Sequence, residues 1–183
     1  MDNHDALVRT ATDSLTKSLG KSSLDEFLTA SRRSMMLVDV SSSMNETIRS
    51  GGTKIDACRA TCDALRESNP VPVAAFGGIV ELVDRVPHPS GGTPLHRGIE
   101  FAQGLGADHL VVITDGEPDS ESAALAAAKA FGGVIDVFYI GNGDDAGSRF
   151  AAELARQTGG SVNLTDLAQP KQLAGKILLL LGE

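Results

Sequence analysis

The chain has 183 residues, 42% of them hydrophobic, and a mean hydropathy of −0.01, which fits one globular domain with a sizeable core. Twenty-four acids against 16 bases give a formal net charge of −8 and a pI of about 4.9, so a nucleic-acid backbone would be repelled and cations attracted. No basic cluster larger than Arg32-Arg33 offsets this, and apolar runs such as Ile177 to Leu181 are too short to span a bilayer.

The opening segment, MDNHDALVRT, has neither the basic start nor the apolar centre of a secretory signal, and the chain is expected to be cytoplasmic. From Asp5 to Ser31, apolar residues at Leu7, Ala11, Leu15 and Leu19, then Leu24, Phe27 and Leu28, predict two amphipathic helices broken at Gly20. Residues 1–33 are therefore expected to form a helical extension packed on a domain spanning 34–183. The stretch GKSS, Gly20 to Ser23, is not a phosphate loop: Leu15 stands where a glycine is required, and no strand leads into it.

Beyond this extension, apolar strand-like runs alternate with segments of helical period, the pattern of an α/β fold with a mainly parallel sheet. Strands are predicted at Ser34 to Val40, Val71 to Phe76, Ile79 to Asp84, His109 to Thr114, Val134 to Ile140 and Ser161 to Leu164. The second and third are joined only by Gly77-Gly78, which suits an antiparallel hairpin with a primed two-residue turn. Helices are predicted at Thr53 to Glu67, Pro94 to Leu105, Ser120 to Phe131, Ala146 to Gln157 and Lys171 to Leu181. Thr53 can cap the first, Pro94 suits the opening turn of the second, and Gly132-Gly133 and Gly159-Gly160 stop the third and fourth. Cys58 and Cys62, four apart on the first helix, are expected to pack as small apolar residues.

Ligands of an open parallel sheet gather at the carboxyl ends of strands where successive connections leave to opposite faces. Asp39 lies at the close of the first strand, with Ser41 and Ser43 two and four residues on, so their oxygens can converge from a curving loop. One carboxylate and two hydroxyls suit Mg²⁺, Mn²⁺ or Ca²⁺ and suit zinc poorly. The second piece is SGGTPL, Ser90 to Leu95, where two glycines allow close backbone approach and place Thr93 before a helix. The third is VVITDGEP, Val111 to Pro118, in which Asp115 follows another buried strand. Glu117, Asp119 and Glu121 either tune the site's rim or charge the next helix's first turn, the favoured reading, and Asp144-Asp145 read as a turn and helix start in a loop that could border the same crevice. His4, His88, His96 and His109 have no zinc-binding spacing and are read as surface or satisfied groups, with only His96 near the proposed site.

The three pieces together resemble the von Willebrand factor type A domain and its metal-ion-dependent adhesion site, whose pattern is DxSxS, then a distant Thr, then a distant Asp. Asp39, Ser41, Ser43, Thr93 and Asp115 match it, and the resemblance covers about Ser34 to Leu181. It implies a doubly wound, Rossmann-like sheet of six strands in the order 3-2-1-4-5-6, with one antiparallel edge strand and helices on both faces. It further implies that Ser41 and Ser43 bind the metal directly, while Thr93 and the two acids bind directly or through water. The cation would then bridge to an Asp or Glu carboxylate of a partner protein. Intracellular members, bacterial or phage in style, often work beside an ATPase or in a multi-protein assembly. No catalysis and no nucleic-acid or membrane partner are expected.

The rival reading is a magnesium-dependent phosphohydrolase or phosphotransferase of the haloacid-dehalogenase type, with Asp39 as nucleophile. That chemistry needs a general acid two residues later, where Ser41 stands, and a Lys before the later acids, whereas Thr93 to Asp115 contains none. A serine hydrolase is disfavoured because there is no GxSxG elbow.

Overall fold

The computed structural model describes residues 33–48, 51–68, 71–141, 143–165 and 169–181. The helices expected between Asp5 and Ser31 lie outside the described residues. Six strands, β1 (Ser34–Asp39), β2 (Val73–Phe76), β3 (Val80–Leu82), β4 (His109–Thr114), β5 (Val134–Ile140) and β6 (Val162–Thr165), form one sheet in the order β3-β2-β1-β4-β5-β6. All neighbours pair in parallel except β2 and β3. Five α-helices alternate with them: α1 (Lys54–Ser68), α2 (Leu95–Gly104), α3 (Glu121–Phe131), α4 (Ala146–Thr158) and α5 (Pro170–Leu181). The expected doubly wound sheet is the one observed, and no described helix is long and apolar enough to cross a membrane.

Burial on both faces explains why the central strands read as continuous apolar runs. Every residue of β1 and of β4 is buried. Side chains alternate between faces. Met35 and Leu37 join the core beneath α2, α3 and α4, with Leu95, Ile99, Ala124 and Leu154. Met36 and Val38 join the opposite core beneath α1 and α5, with Ile55, Cys58, Cys62, Leu173 and Ile177. The two thiols pack as expected, and burial pushes that of Cys62 up to about 12. The chain leaves β1 toward α1 on one face and reaches β4 from α2 on the other. The topological switch therefore falls between the carboxyl ends of β1 and β4.

Helix ends follow local chemistry. Thr53 Oγ1 accepts from Asp56 N–H at the start of α1, and Ser120 Oγ accepts from Ala123 N–H at the start of α3. Gly132 and Gly159 end α3 and α4 in the left-handed region, at φ of 69° and 74°. The β2–β3 connection departs from expectation. It runs through Gly77, Gly78 and Ile79, and neither glycine has the positive φ of a primed turn. Glycine is needed there for space: a Cβ on Gly77 would lie 2.8 Å from both Ser90 O and Val40 Cγ2. Pro94 likewise stands at the N-cap of α2 instead of within its first turn.

A polar row, buried at Ser34, His109 and Asp136, ties β1, β4 and β5 to the residue that precedes β6. Ser34 Oγ lies 2.8 Å from His109 Nδ1, and His109 Nε2 lies 2.8 Å from Asp136 Oδ2. Ser161 donates to Asp136 Oδ1 from both its backbone N–H and its hydroxyl, each at 2.7 Å. Ser34, His109 and Asp136 are 5%, 0% and 5% exposed, which closes this serine–histidine–aspartate row to a substrate and makes it a staple. Burial raises the Asp136 pKa, but the hydrogen bonds from Ser161 and His109 outweigh it and hold the carboxyl below its ordinary 3.8. Asp136→Ala should cost about 3 kcal/mol at neutral pH, measured by urea unfolding, because it strands the buried His109 ring. A depressed native pKa gives stability that is present above 3.8 and lost as pH falls through the native value, so the difference between wild type and variant should shrink in acid. Equal stability at pH 7 would contradict the staple.

Candidate metal centre

β1 delivers Asp39 to the switch point with its residue 0% exposed. Its neighbour β4 ends on Thr114, whose hydroxyl donates to Asp39 Oδ2 at 2.6 Å, and Ser41 N–H donates to Asp39 Oδ1 at 2.7 Å. Burial pushes the Asp39 carboxyl up to about 6, with those hydrogen bonds pulling it down and the charge of Asp115 adding to the rise. All its hydrogen-bond donors are neutral. The result is a water-excluded carboxylate whose charge is only partly compensated, an environment that favours a nearby cation.

After Ser41 the chain turns through a short 3-10 segment, Ser42–Asn45. Met44, 0% exposed, anchors that turn in the core beneath α1 and fixes where the flanking serines point. Ser41 Oγ and Ser43 Oγ are 3.1 Å apart, and Ser43 Oγ donates to Asp115 Oδ1 at 2.8 Å. The oxygens of Ser41, Ser43 and Asp115 thus run in a row across the ends of β1 and β4, with Asp39 tied to it through the Ser41 backbone N–H.

Thr93 is brought alongside by its backbone. Ser90 N–H donates to Val40 O at 2.7 Å, and both the N–H and the hydroxyl of Ser42 donate to Gly91 O at 3.1 Å. On its other side, Thr93 N–H donates to Asp119 Oδ1 at 2.8 Å, and Asp119 N–H donates to Thr93 O at 3.0 Å. The two glycines permit this approach. Gly91 has φ +79° against Gly78, and a Cβ on Gly92 would stand 2.5 Å from Asp119 Oδ1. The structure therefore joins the side chains of Ser41, Ser43 and Asp115 directly, ties Asp39 to them through the Ser41 backbone N–H, and docks Thr93, 8% exposed, on a tethered loop.

The sequence reading named Asp119 without its bond to Thr93 and did not single out Lys54. Asp119 clamps the Thr93 loop as well as preceding α3. Lys54, the first residue of α1, reaches back so that its Nζ donates to Asp115 Oδ2 and to Glu46 Oε2, each at 2.6 Å. Burial pulls this ammonium down, but the hydrogen bonds to Asp115 and Glu46 outweigh it and leave its pKa above the ordinary lysine value. The available signal was its position, since a cation in a helix's first turn opposes the dipole and calls for a local acid. Elsewhere Asp145 caps α4 through Ser148 N–H, as expected of a helix start, whereas His96 Nδ1 is buried with no hydrogen-bond partner.

The donor set fits a hard divalent cation. Adjacent ligands of an octahedral ion bound at about 2.1 Å lie roughly 3.0 Å apart, the spacing already present along the serine row. Among the described residues no three His, Cys, Asp or Glu side chains converge on a metal position, so an ion here would depend on the serine hydroxyls. That requirement suits magnesium or manganese better than zinc.

No protein-family model and no curated protein matches the sequence. Solved structures do. A von Willebrand factor type A protein from Catenulispora acidiphila aligns with a TM-score of 0.64 at 18% identity, covering 79% of this chain and 41% of that one. This chain thus spans less than half the length of that protein. Together with the strand order and the helices on both faces, the likeness gives the chain a von Willebrand factor type A-like, Rossmann-like fold.

Proposed function

We propose that this protein is a divalent-cation-dependent protein-interaction module. The observation that carries the reading is the row from Asp39 through Ser41 and Ser43 to Asp115, placed at the sheet's topological switch and bordered by the Thr93 loop. Ser41 and Ser43 would hold Mg²⁺ or Mn²⁺, with Ca²⁺ as a further candidate, and Thr93, Asp39 and Asp115 would contribute directly or through water. Hydroxyl ligands leave such an ion most of its charge, so it supplies a Lewis-acidic position for an Asp or Glu carboxylate of a partner protein. Asp39 and Thr114 fix the serine turn from below, while Asp119 holds Thr93 at the rim. The partner class we infer is a protein with an exposed acidic side chain, as in an ATPase or a multi-protein assembly.

The phosphotransfer alternative has weaker support. A nucleophilic Asp39 would need an oxygen open to substrate, yet the residue is 0% exposed. The hydroxyl of Ser41 also stands where a general acid is required.

Thermal unfolding with and without Mg²⁺ or Mn²⁺ tests the proposal. At a hundred times its dissociation constant the ion should add roughly 2.7 kcal/mol of stability, and Ser41→Ala should abolish that gain with little effect on the metal-free protein. An unchanged melting temperature in the wild type would overturn it. In a phosphatase screen no aryl phosphate should turn over, and turnover lost on Asp39→Asn would favour the enzyme.

A further inference from the structure

Lys54 is electrostatically misplaced by local rules and largely withdrawn from water. It occupies the first turn of α1, where the helix end already carries partial positive charge, and its side chain is only 15% exposed. No packing role requires an ammonium there. Its compensation is Asp115, whose side chain is 0% exposed and whose two oxygens are divided between Ser43 Oγ and Lys54 Nζ. The protein's own monovalent cation therefore occupies the acid that the proposed ion would use.

The geometry also provides a second seat. Glu46, 67% exposed, already accepts from Lys54 Nζ at 2.6 Å on the solvent side of Asp115. Lysine carries a point charge on a flexible four-carbon stem, so its Asp115 bond can be given up while its Glu46 bond is kept. A divalent ion beside Ser43 repels the ammonium and binds the carboxylate more strongly than one charge can. Leaving Asp115 brings Lys54 toward the rim, where a partner's acid would approach.

We propose that Lys54 is a built-in counter-ion that holds Asp115 in the cation-free protein and is exchanged for the divalent ion, retiring to Glu46. This rests on the cation-binding reading above. It assigns Lys54 a positioning role and makes the site's affinity a competition between two cations for one carboxylate.

The test combines Mn²⁺ titration calorimetry with amine labelling of Lys54 by an N-hydroxysuccinimide ester, read by mass spectrometry. Lys54→Met, which keeps the stem and removes the charge, should bind Mn²⁺ about tenfold more tightly than wild type. In the wild type, saturating Mn²⁺ should raise the labelling of Lys54 severalfold while distant lysines such as Lys129 stay constant. Equal or weaker Mn²⁺ affinity in a Lys54→Met protein with native circular dichroism, or Lys54 labelling unmoved by Mn²⁺, would overturn the exchange and leave the cation site standing. Failure of both proteins to bind Mn²⁺ would overturn the cation site and the exchange together.

Discussion

Placing an acid at the end of a central parallel strand has consequences that spread through the whole carboxyl edge of the sheet. β1 is flanked by β2 and β4 and covered on both faces, so Asp39 cannot reach water. A carboxylate so placed either takes up a proton or acquires partners, and here its native pKa is lifted to about 6 by burial while neutral donors work against the rise. Those donors are the backbone of the serine turn and the terminal hydroxyl of β4. The need to satisfy one buried acid thus fixes the start of the Ser41 to Ser43 turn and locks the ends of β1 and β4 together.

From that point the site is assembled by tethers with little freedom. Met44 plugs the serine turn into the core, Ser42 holds Gly91, and Asp119 holds Thr93. The contact chain from Asp39 to Glu46 contains three carboxylates and a single ammonium, that of Lys54. Excess negative charge beside neutral hydroxyls is an arrangement that a divalent ion would relieve. The opposite end of the sheet uses the same economy differently: His109 and Asp136 satisfy each other with Ser34 and Ser161, leaving no room for chemistry.

The sheet order and the elements were largely legible because their causes are local. Apolar runs buried on both faces, glycine stops and hydroxyl caps can be read from a few neighbouring residues. The candidate site was legible only as a pattern, since Asp39 ends a strand, Ser41, Ser43 and Asp115 follow strand ends, and Thr93 comes before a helix. Long-range pairings were not. Lys54 meets Asp115 across 61 residues and Asp119 meets Thr93 across 26, and in both cases only the folded sheet creates the contact. The β2–β3 turn was misread because Gly77 serves close approach to Ser90 and Val40, a tertiary demand invisible to turn chemistry.

The central claim is that the oxygens at the ends of β1 and β4 surround one cation position. Anomalous diffraction from crystals soaked in Mn²⁺ addresses it most directly. The account predicts one dominant peak within bonding distance of the Ser41 and Ser43 hydroxyls and beside Asp115. Strong peaks elsewhere, with the two serines still hydrogen-bonded to each other and to Asp115, would contradict it.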